Sequence, residues 1–295
     1  MYIIFGASGF LGSYLVDQAV KITKEPILAT FHSSPLERTY NGRVEWHKLN
    51  FADLGDLNGF CGKFKAADRK GLKVIVLVAR HNLDKVKKDP DAARHINVTA
   101  LAKLVDSLPG VKSFYYVSSD TVYGESENGR FFDENDPPNP INLYGEQKAQ
   151  AEKIVIAAGL NLIRCSFLIG PSLSHKKHFY DEIVDTLSSG KTIEMFTDSR
   201  RTALDFKQTA EYLVRLIERF GNEKVGIVNF AGDEALSKYD IGLRIAAKLG
   251  LDPALIRPVS LAESGFFAEK RAKSILMKNA KLKKLLNLSS IKLEL

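Results

Sequence analysis

Tyr2-Ile3-Ile4-Phe5-Gly6-Ala7-Ser8-Gly9-Phe10-Leu11-Gly12 decides the fold. Four apolar, strand-forming residues run straight into a glycine-rich turn. Ser13 to Val20 then continues with helical apolar spacing. In a strand–turn–helix unit each glycine has a physical reason: one allows the tight turn, one lets backbone N–H groups approach a pyrophosphate, and one lets helix pack on strand. The helix N-terminus adds free N–H groups and the positive end of its dipole. The spacing is Gly-x-x-Gly-x-x-Gly. Gly6, Ser8, Gly9, Phe10, Leu11 and Gly12 are therefore the first candidates for holding a dinucleotide, the alternative being a plain structural corner.

Working outward, Pro26 to Phe31 reads as a second strand that ends at His32-Ser33-Ser34-Pro35. About 20 residues past the glycines, a dinucleotide fold reads the adenosine ribose. No Asp or Glu stands there to accept from a free 2′-hydroxyl. His32, Ser33, Ser34 and the nearby Arg38 suit a 2′-phosphate, which points to NADP over NAD, unless Ser33-Ser34-Pro35 is only a turn. Val44 to Leu49 alternates like a third strand and is closed by Asn50-Phe51-Ala52-Asp53, with Asp53 placed to cap the next helix. Lys73 to Ala79 is a continuous apolar run, as in strands buried on both faces. Asp91 to Leu108 has the pattern of one long amphipathic helix. Ser113 to Val117 is a further buried strand and delivers Ser118-Ser119-Asp120 at its carboxyl end. A helix over 142–158 and a strand over 160–165 follow.

Strands alternating with helices predict an α/β fold with a doubly wound parallel sheet. Beyond Gly170-Pro171 the rhythm loosens. Helices are expected over 179–187, 208–220 and 237–249, and short strands over 192–196 and 225–230. This divides the chain into a dinucleotide-binding domain, 1–168, to which some later segments return, and a smaller, partly interleaved α/β substrate lobe, 169–295.

The chain has 295 residues, 45% hydrophobic and 26% charged, which is ordinary for a soluble globular protein. No apolar stretch is long enough to cross a bilayer, and the N-terminus does not read as a signal peptide. Cys61 and Cys165 are the two cysteines; they read as buried thiols in a reducing cytoplasm. The net charge of +7 favours anionic partners. Lys270, Arg271, Lys273, Lys278, Lys281, Lys283 and Lys284 crowd the tail, and a solvated helix face accounts for them. No nucleic-acid fold signature accompanies them. The six histidines show no metal spacing beyond His175 and His178, which read as loop residues.

Tyr144 and Lys148 are four apart in a predicted helix and so share a face. A nearby ammonium favours the phenolate and lowers a phenol pKa of about 10. Such a tyrosine exchanges a proton with a substrate oxygen while a hydride moves at the adjacent carbon. Ser119, at a strand end, is placed to hydrogen-bond the same oxygen. A Tyr-x-x-x-Lys alone is a common surface accident; its place after the glycine turn and the strand-end serine gives it weight.

With those residues in view, the chain resembles the extended short-chain dehydrogenase/reductase family. The matching stretches are Gly6 to Gly12, Ser118-Ser119-Asp120-Thr121-Val122-Tyr123-Gly124, Tyr144 with Lys148, and Arg164 to Pro171. Within the family it is similar to the dTDP-4-dehydrorhamnose reductase type, through Asn229 to Asp240 and the Arg271 to Leu286 tail. The resemblance implies a Rossmann-type fold with Tyr144 as proton donor. Lys148 would bind the nicotinamide ribose and lower the Tyr144 pKa, and Ser119 would orient the carbonyl. It places Asn50 and Phe51 beside the adenine and Ala79 and Arg80 near the cofactor. Asn50, Arg80 and Gln208 depart from the residue types usual there. Thr121 follows Asp120 where dehydratases carry a second acid, which disfavours dehydration.

The implied activity is reduction of a keto group on a nucleotide-linked sugar. An epimerase that retains its cofactor and a non-catalytic NADP-binding regulatory subunit stand as alternatives. Asp120, Thr121, Arg200 and Arg201 are the candidate substrate contacts, with Lys176 and Lys177 as further cations for a diphosphate. Solvated loop charges explain the cations equally. A cytoplasmic protein, without metal, nucleic acid or membrane and possibly a homodimer, is expected. Phe266-Phe267 reads as packing between lobe and tail.

Overall fold

The computed structural model describes residues 1–36, 38, 40–261 and 269–295; Phe266 and Phe267 lie outside the described residues. Seven parallel strands form the central sheet, in the spatial order Ile227–Phe230, Asn161–Cys165, Ser113–Ser119, Lys73–Val76, Tyr2–Phe5, Ile27–Phe31, Val44–Lys48. The order reverses between Tyr2–Phe5 and Lys73–Val76. The carboxyl ends flanking that point are where open α/β sheets bind ligands.

The first strand shows why the sheet needs cover on both sides. Tyr2 and Ile4 enter one apolar cluster, while Ile3 and Phe5 enter another. All four are fully buried. Successive strand side chains point to opposite faces, so an apolar run without alternation needs helices on each. On one face lie Phe10–Ile22, Phe206–Phe220 and Ala280–Leu286; on the other lie Leu54–Gly62, Leu101–Ser107 and Leu143–Ala157. Each fully buried Ile or Leu contributes roughly 1.5–3 kcal/mol of transfer free energy.

The remaining strands among the described residues form three smaller sheets. Leu236–Ser237, Arg200–Arg201, Ser274–Met277 and Phe131–Phe132 form a four-stranded sheet in that order. Ile193–Phe196 pairs with Ile256–Val259, and Leu168–Ile169 with Leu204–Asp205.

Three sequence expectations change in detail. The Lys73 strand ends at Val76, because Leu77 to Arg80 leave the ladder to line the cleft. The helix expected over 91–108 is Pro90–Arg94, a π-helical turn His95–Ala100 and Leu101–Ser107. His175 and His178 lie in the loop expected of them, and His178 caps the Phe179–Ser188 helix that follows. The tail lysines are also less free than a solvated face implies. Lys281 Nζ donates to the carbonyls of Val225 (2.8 Å) and Ile227 (2.6 Å), and Lys283 pairs with Asp233 at 2.8 Å. No helix among the described residues is long and apolar enough to cross a membrane.

Candidate active site

The glycine turn is shaped by close contacts. Gly6 has φ +85°, a left-handed value that favours glycine. A Cβ on Gly12 would run into the Gly6 carbonyl oxygen and come within 2.8 Å of Ala7. Gly9 N–H donates to that oxygen at 3.1 Å. Gly9 is also the N-cap of Phe10–Ile22 and supplies no side-chain cap. The first-turn N–H groups are thus left to an anion. The turn, the uncapped helix end and the adjoining cleft fit a dinucleotide pyrophosphate.

The cleft spans about 1340 Å³. Gly6, Ser8, Gly9, Phe10, Leu11 and Gly12 form its floor, with His32, Ser33, Ser34, Asn50 and Phe51 at one end. Ala79 and Arg80 lie along its middle, and Ser119, Asp120, Thr121, Tyr144, Lys148 and Arg201 at the other end. Three expected residues, Arg38, Arg200 and Lys177, fall outside this lining, Lys177 being bonded to Asp185. Arg38 Nη1 is bonded to Asp17 Oδ2 at 2.6 Å, and Tyr40 holds the other Asp17 oxygen at 2.7 Å. Arg200 is exposed and donates to the Ala235 carbonyl at 3.3 Å. Its neighbour Arg201 turns inward, donates to the carbonyls of Lys273 and Ala272 at 3.0 Å each, and brings Nε to 3.4 Å from Asp120 Oδ2.

Ser119 ends the central strand Ser113–Ser119. Its Oγ donates to Asp120 Oδ1 at 3.0 Å and accepts from Thr121 Oγ1 at 3.1 Å. The Leu143–Ala157 helix approaches this turn closely because residue 145 is glycine: a Cβ there would lie 2.5 Å from the Thr121 carbonyl oxygen. Asn142 caps the helix, accepting from Gly145 N–H at 2.9 Å. This fixes the start of the helix, and with it Tyr144 and Lys148.

Lys148 does not do what its spacing alone implies. Its Nζ donates to Tyr116 Oη and to the Val117 carbonyl, each at 2.7 Å, and lies 6.0 Å from the Tyr144 ring centroid. Burial lowers its pKa to about 7. Burial, with the neighbouring Asp120, pushes the Tyr144 phenol up. In this form of the site the phenol is protonated and the lysine is the group that titrates near neutrality. Burial also raises Asp120, against the opposing pull of Arg201.

Three features escaped sequence reasoning. Asn97, in the π-helical turn, accepts from Arg80 N–H at 2.8 Å and donates to the Arg80 carbonyl at 3.0 Å and to Gln147 Oε1 at 2.8 Å. It ties the middle of the cleft to the helix that carries Tyr144 and Lys148. Lys238 lines the substrate end with its ammonium against the Phe167 and Phe179 rings. Burial, then Arg201, hold its pKa well below the usual lysine range. Arg271 also lines that end and is bonded to Asp84 Oδ2 at 2.8 Å. Lys238 sits at the first turn of a helix, so its direction was not readable from periodicity. Among the described residues no group of three or more His, Cys, Asp or Glu is placed to hold a metal ion.

Solved structures share this fold. A hypothetical dTDP-4-dehydrorhamnose reductase from Sulfolobus tokodaii superposes with a TM-score of 0.82 at 25% identity, covering 99% of this chain and 97% of that one. The dTDP-4-dehydrorhamnose reductase of Bacillus anthracis in complex with NADP shares the fold with a TM-score of 0.78 at 19% identity, covering 98% and 94%. Fold and cleft together place the molecule among the nicotinamide-dependent oxidoreductases of the short-chain dehydrogenase/reductase type. More narrowly, the chain belongs to the RmlD substrate binding domain family, whose model matches residues 1–293. It is 28% identical over 265 residues to the methionine adenosyltransferase 2 subunit beta of Xenopus tropicalis, covering 88% of this chain and 75% of the relative. It is 25% identical over 270 residues to a probable low-salt glycan biosynthesis reductase of Haloferax volcanii, covering 88% and 84%.

Proposed function

We propose that this chain is an NADP-preferring reductase acting on a keto group of a nucleotide-linked sugar. The observation that carries the reading is the convergence of Ser119, Tyr144 and Lys148 on the same cleft as the glycine turn. Residues 1–168, with the returning strand Ile227–Phe230, would hold the dinucleotide, and 169–295 the sugar nucleotide. A nicotinamide held in this cleft would supply the hydride that reduces the carbonyl carbon. Tyr144, kept protonated by burial, gives its proton to the carbonyl oxygen, so that the ketone becomes an alcohol. Ser119 Oγ orients that oxygen. Lys148, as an ammonium, stabilises the phenolate left behind until it is reprotonated. Arg201 offers positive charge to the substrate's phosphates, and Lys238, lining the same end, offers N–H donors. His32, Ser33 and Ser34, with no acid at the strand end, favour the 2′-phosphate of NADP.

The test is NADPH oxidation with a panel of nucleotide-linked 4-keto sugars, repeated in Tyr144→Phe. Turnover should fall by about 10²- to 10⁴-fold with NADP binding intact. Undiminished turnover would remove Tyr144 from the role.

A second reading, a dinucleotide-binding subunit without turnover, is favoured by the engagement of Lys148 with Tyr116 and Val117. Stoichiometric NADP binding with no oxidation on any keto sugar would select it.

A further inference from the structure

We infer that Lys48, from the neighbouring edge strand, reads the 2′-phosphate of NADP; this rests on the NADP preference proposed above. Val44–Lys48 is the outermost strand of the sheet and pairs with Ile27–Phe31 in a register that sets Lys48 beside Phe31. Lys48 therefore stands next to the last residue of the second strand, one position before His32. A small recess opens there, lined by His32, Ser33, Lys48, Asn50 and Asp56. It shares His32, Ser33 and Asn50 with the main cleft and so continues its adenosine end.

The donor set suits a phosphomonoester. Lys48 brings a compact positive charge, Ser33 a hydroxyl, and His32 a ring nitrogen 3.2 Å from that hydroxyl. Among the described residues no hydrogen bond or ion pair engages the Lys48 ammonium, so it is available to a ligand. Arg38, the cation that sequence position favours, is by contrast held by Asp17. The one carboxylate on the recess, Asp56, accepts from Asn50 N–H at 2.8 Å and forms no ion pair with Lys48. A phosphate between His32 and Lys48 would give the lysine the counter-charge it lacks. Lys48 is exposed at a strand end, so its replacement leaves the core intact.

The experiment measures Kd for NADP and for NAD by calorimetry on the full chain and on Lys48→Met, Lys48→Arg and Arg38→Met. Lys48→Met should weaken NADP by on the order of tenfold or more and leave NAD unchanged, since a charge-assisted hydrogen bond is lost. Lys48→Arg should recover most of that loss, and Arg38→Met should change neither value. An unchanged NADP-to-NAD ratio in Lys48→Met would overturn the inference while the NADP preference stands. A wild-type chain that binds NAD more tightly than NADP, weakened for NAD by Asp56→Asn, would overturn both.

Discussion

Lys148 Nζ and Tyr116 Oη are 2.7 Å apart, with both side chains buried and the ammonium 4.3 Å from the Tyr116 ring centroid. The phenol oxygen accepts from the charged form of the lysine and so supports it against the desolvation that brings its pKa to about 7. If Lys148 acts as an ammonium, kcat/KM should decline as pH rises through about 7. Tyr116→Phe removes an acceptor and should move that decline to lower pH. A profile with the same alkaline limb in both proteins would show that Tyr116 does not set the lysine's charge.

The same lysine makes folding pH-dependent. Below about pH 7 it is charged in both states and the cost of burying the charge is fully present; between about 7 and 10.5 the folded chain has released a proton that the unfolded chain still binds. Stability contributed by this group therefore rises with pH across that window. Comparing Tm of the native chain with Lys148→Met should show the native chain gaining on the variant as pH climbs through it. A constant difference would contradict the assignment of the low pKa.

Gly12 is where backbone touches backbone. Alanine there forces its Cβ against the Gly6 carbonyl and Ala7. Overpacking of this kind costs about 1–3 kcal/mol. Gly12→Ala should lower the denaturation midpoint and abolish the thermal shift produced by NADP. A variant that still binds NADP normally would mean the turn can open without loss.

Arg164 and Glu152 form a bidentate pair at 2.7–3.2 Å, and both side chains are about 1% exposed. Removing one partner of such a pair strands the other charge and costs about 3–5 kcal/mol. Glu152→Ala should show that loss in urea unfolding. Because Glu152 is one turn beyond Lys148, turnover should fall in the variant as well.

Arg201 and Arg200 are adjacent but face different ways. Arg201→Gln should raise KM for a nucleotide sugar by about tenfold or more, the loss of a charge-assisted contact. Arg200→Gln should leave KM near wild type. Equal effects would place the substrate outside the cleft end that Arg201 lines.

The sheet was legible because its strands are buried on both faces. Runs such as Tyr2 to Phe5 and Val74 to Val76 carry that signal without a partner in view. The placing of Ser119, Tyr144 and Lys148 in one cleft follows from position alone, since they end a strand or share a helix face. Arg38 and Arg200 show where that logic stops. A long side chain can reach in several directions, and its nearest carboxylate or carbonyl decides which. The lysine–tyrosine contact was hidden for another reason: Tyr116 reads as one more core aromatic, and only the packing of helix on sheet sets its hydroxyl under Nζ. The π-helical turn was missed because apolar spacing continues through it while Asn97 turns to the Arg80 backbone.

The seventh strand, Ile227–Phe230, pairs with Asn161–Cys165 inside the central sheet, and Phe206–Phe220 covers the helix that follows the glycine turn. Asn229 receives the Tyr123 hydroxyl at 2.8 Å. In a chain made from its N-terminal side, the glycine motif therefore emerges well before the parts that shield it. Until about residue 230 is out, the Asn161–Cys165 edge stays open and one face of the first helix stays bare. The early motif must wait for the late chain, and a mutation in either weakens the same sheet.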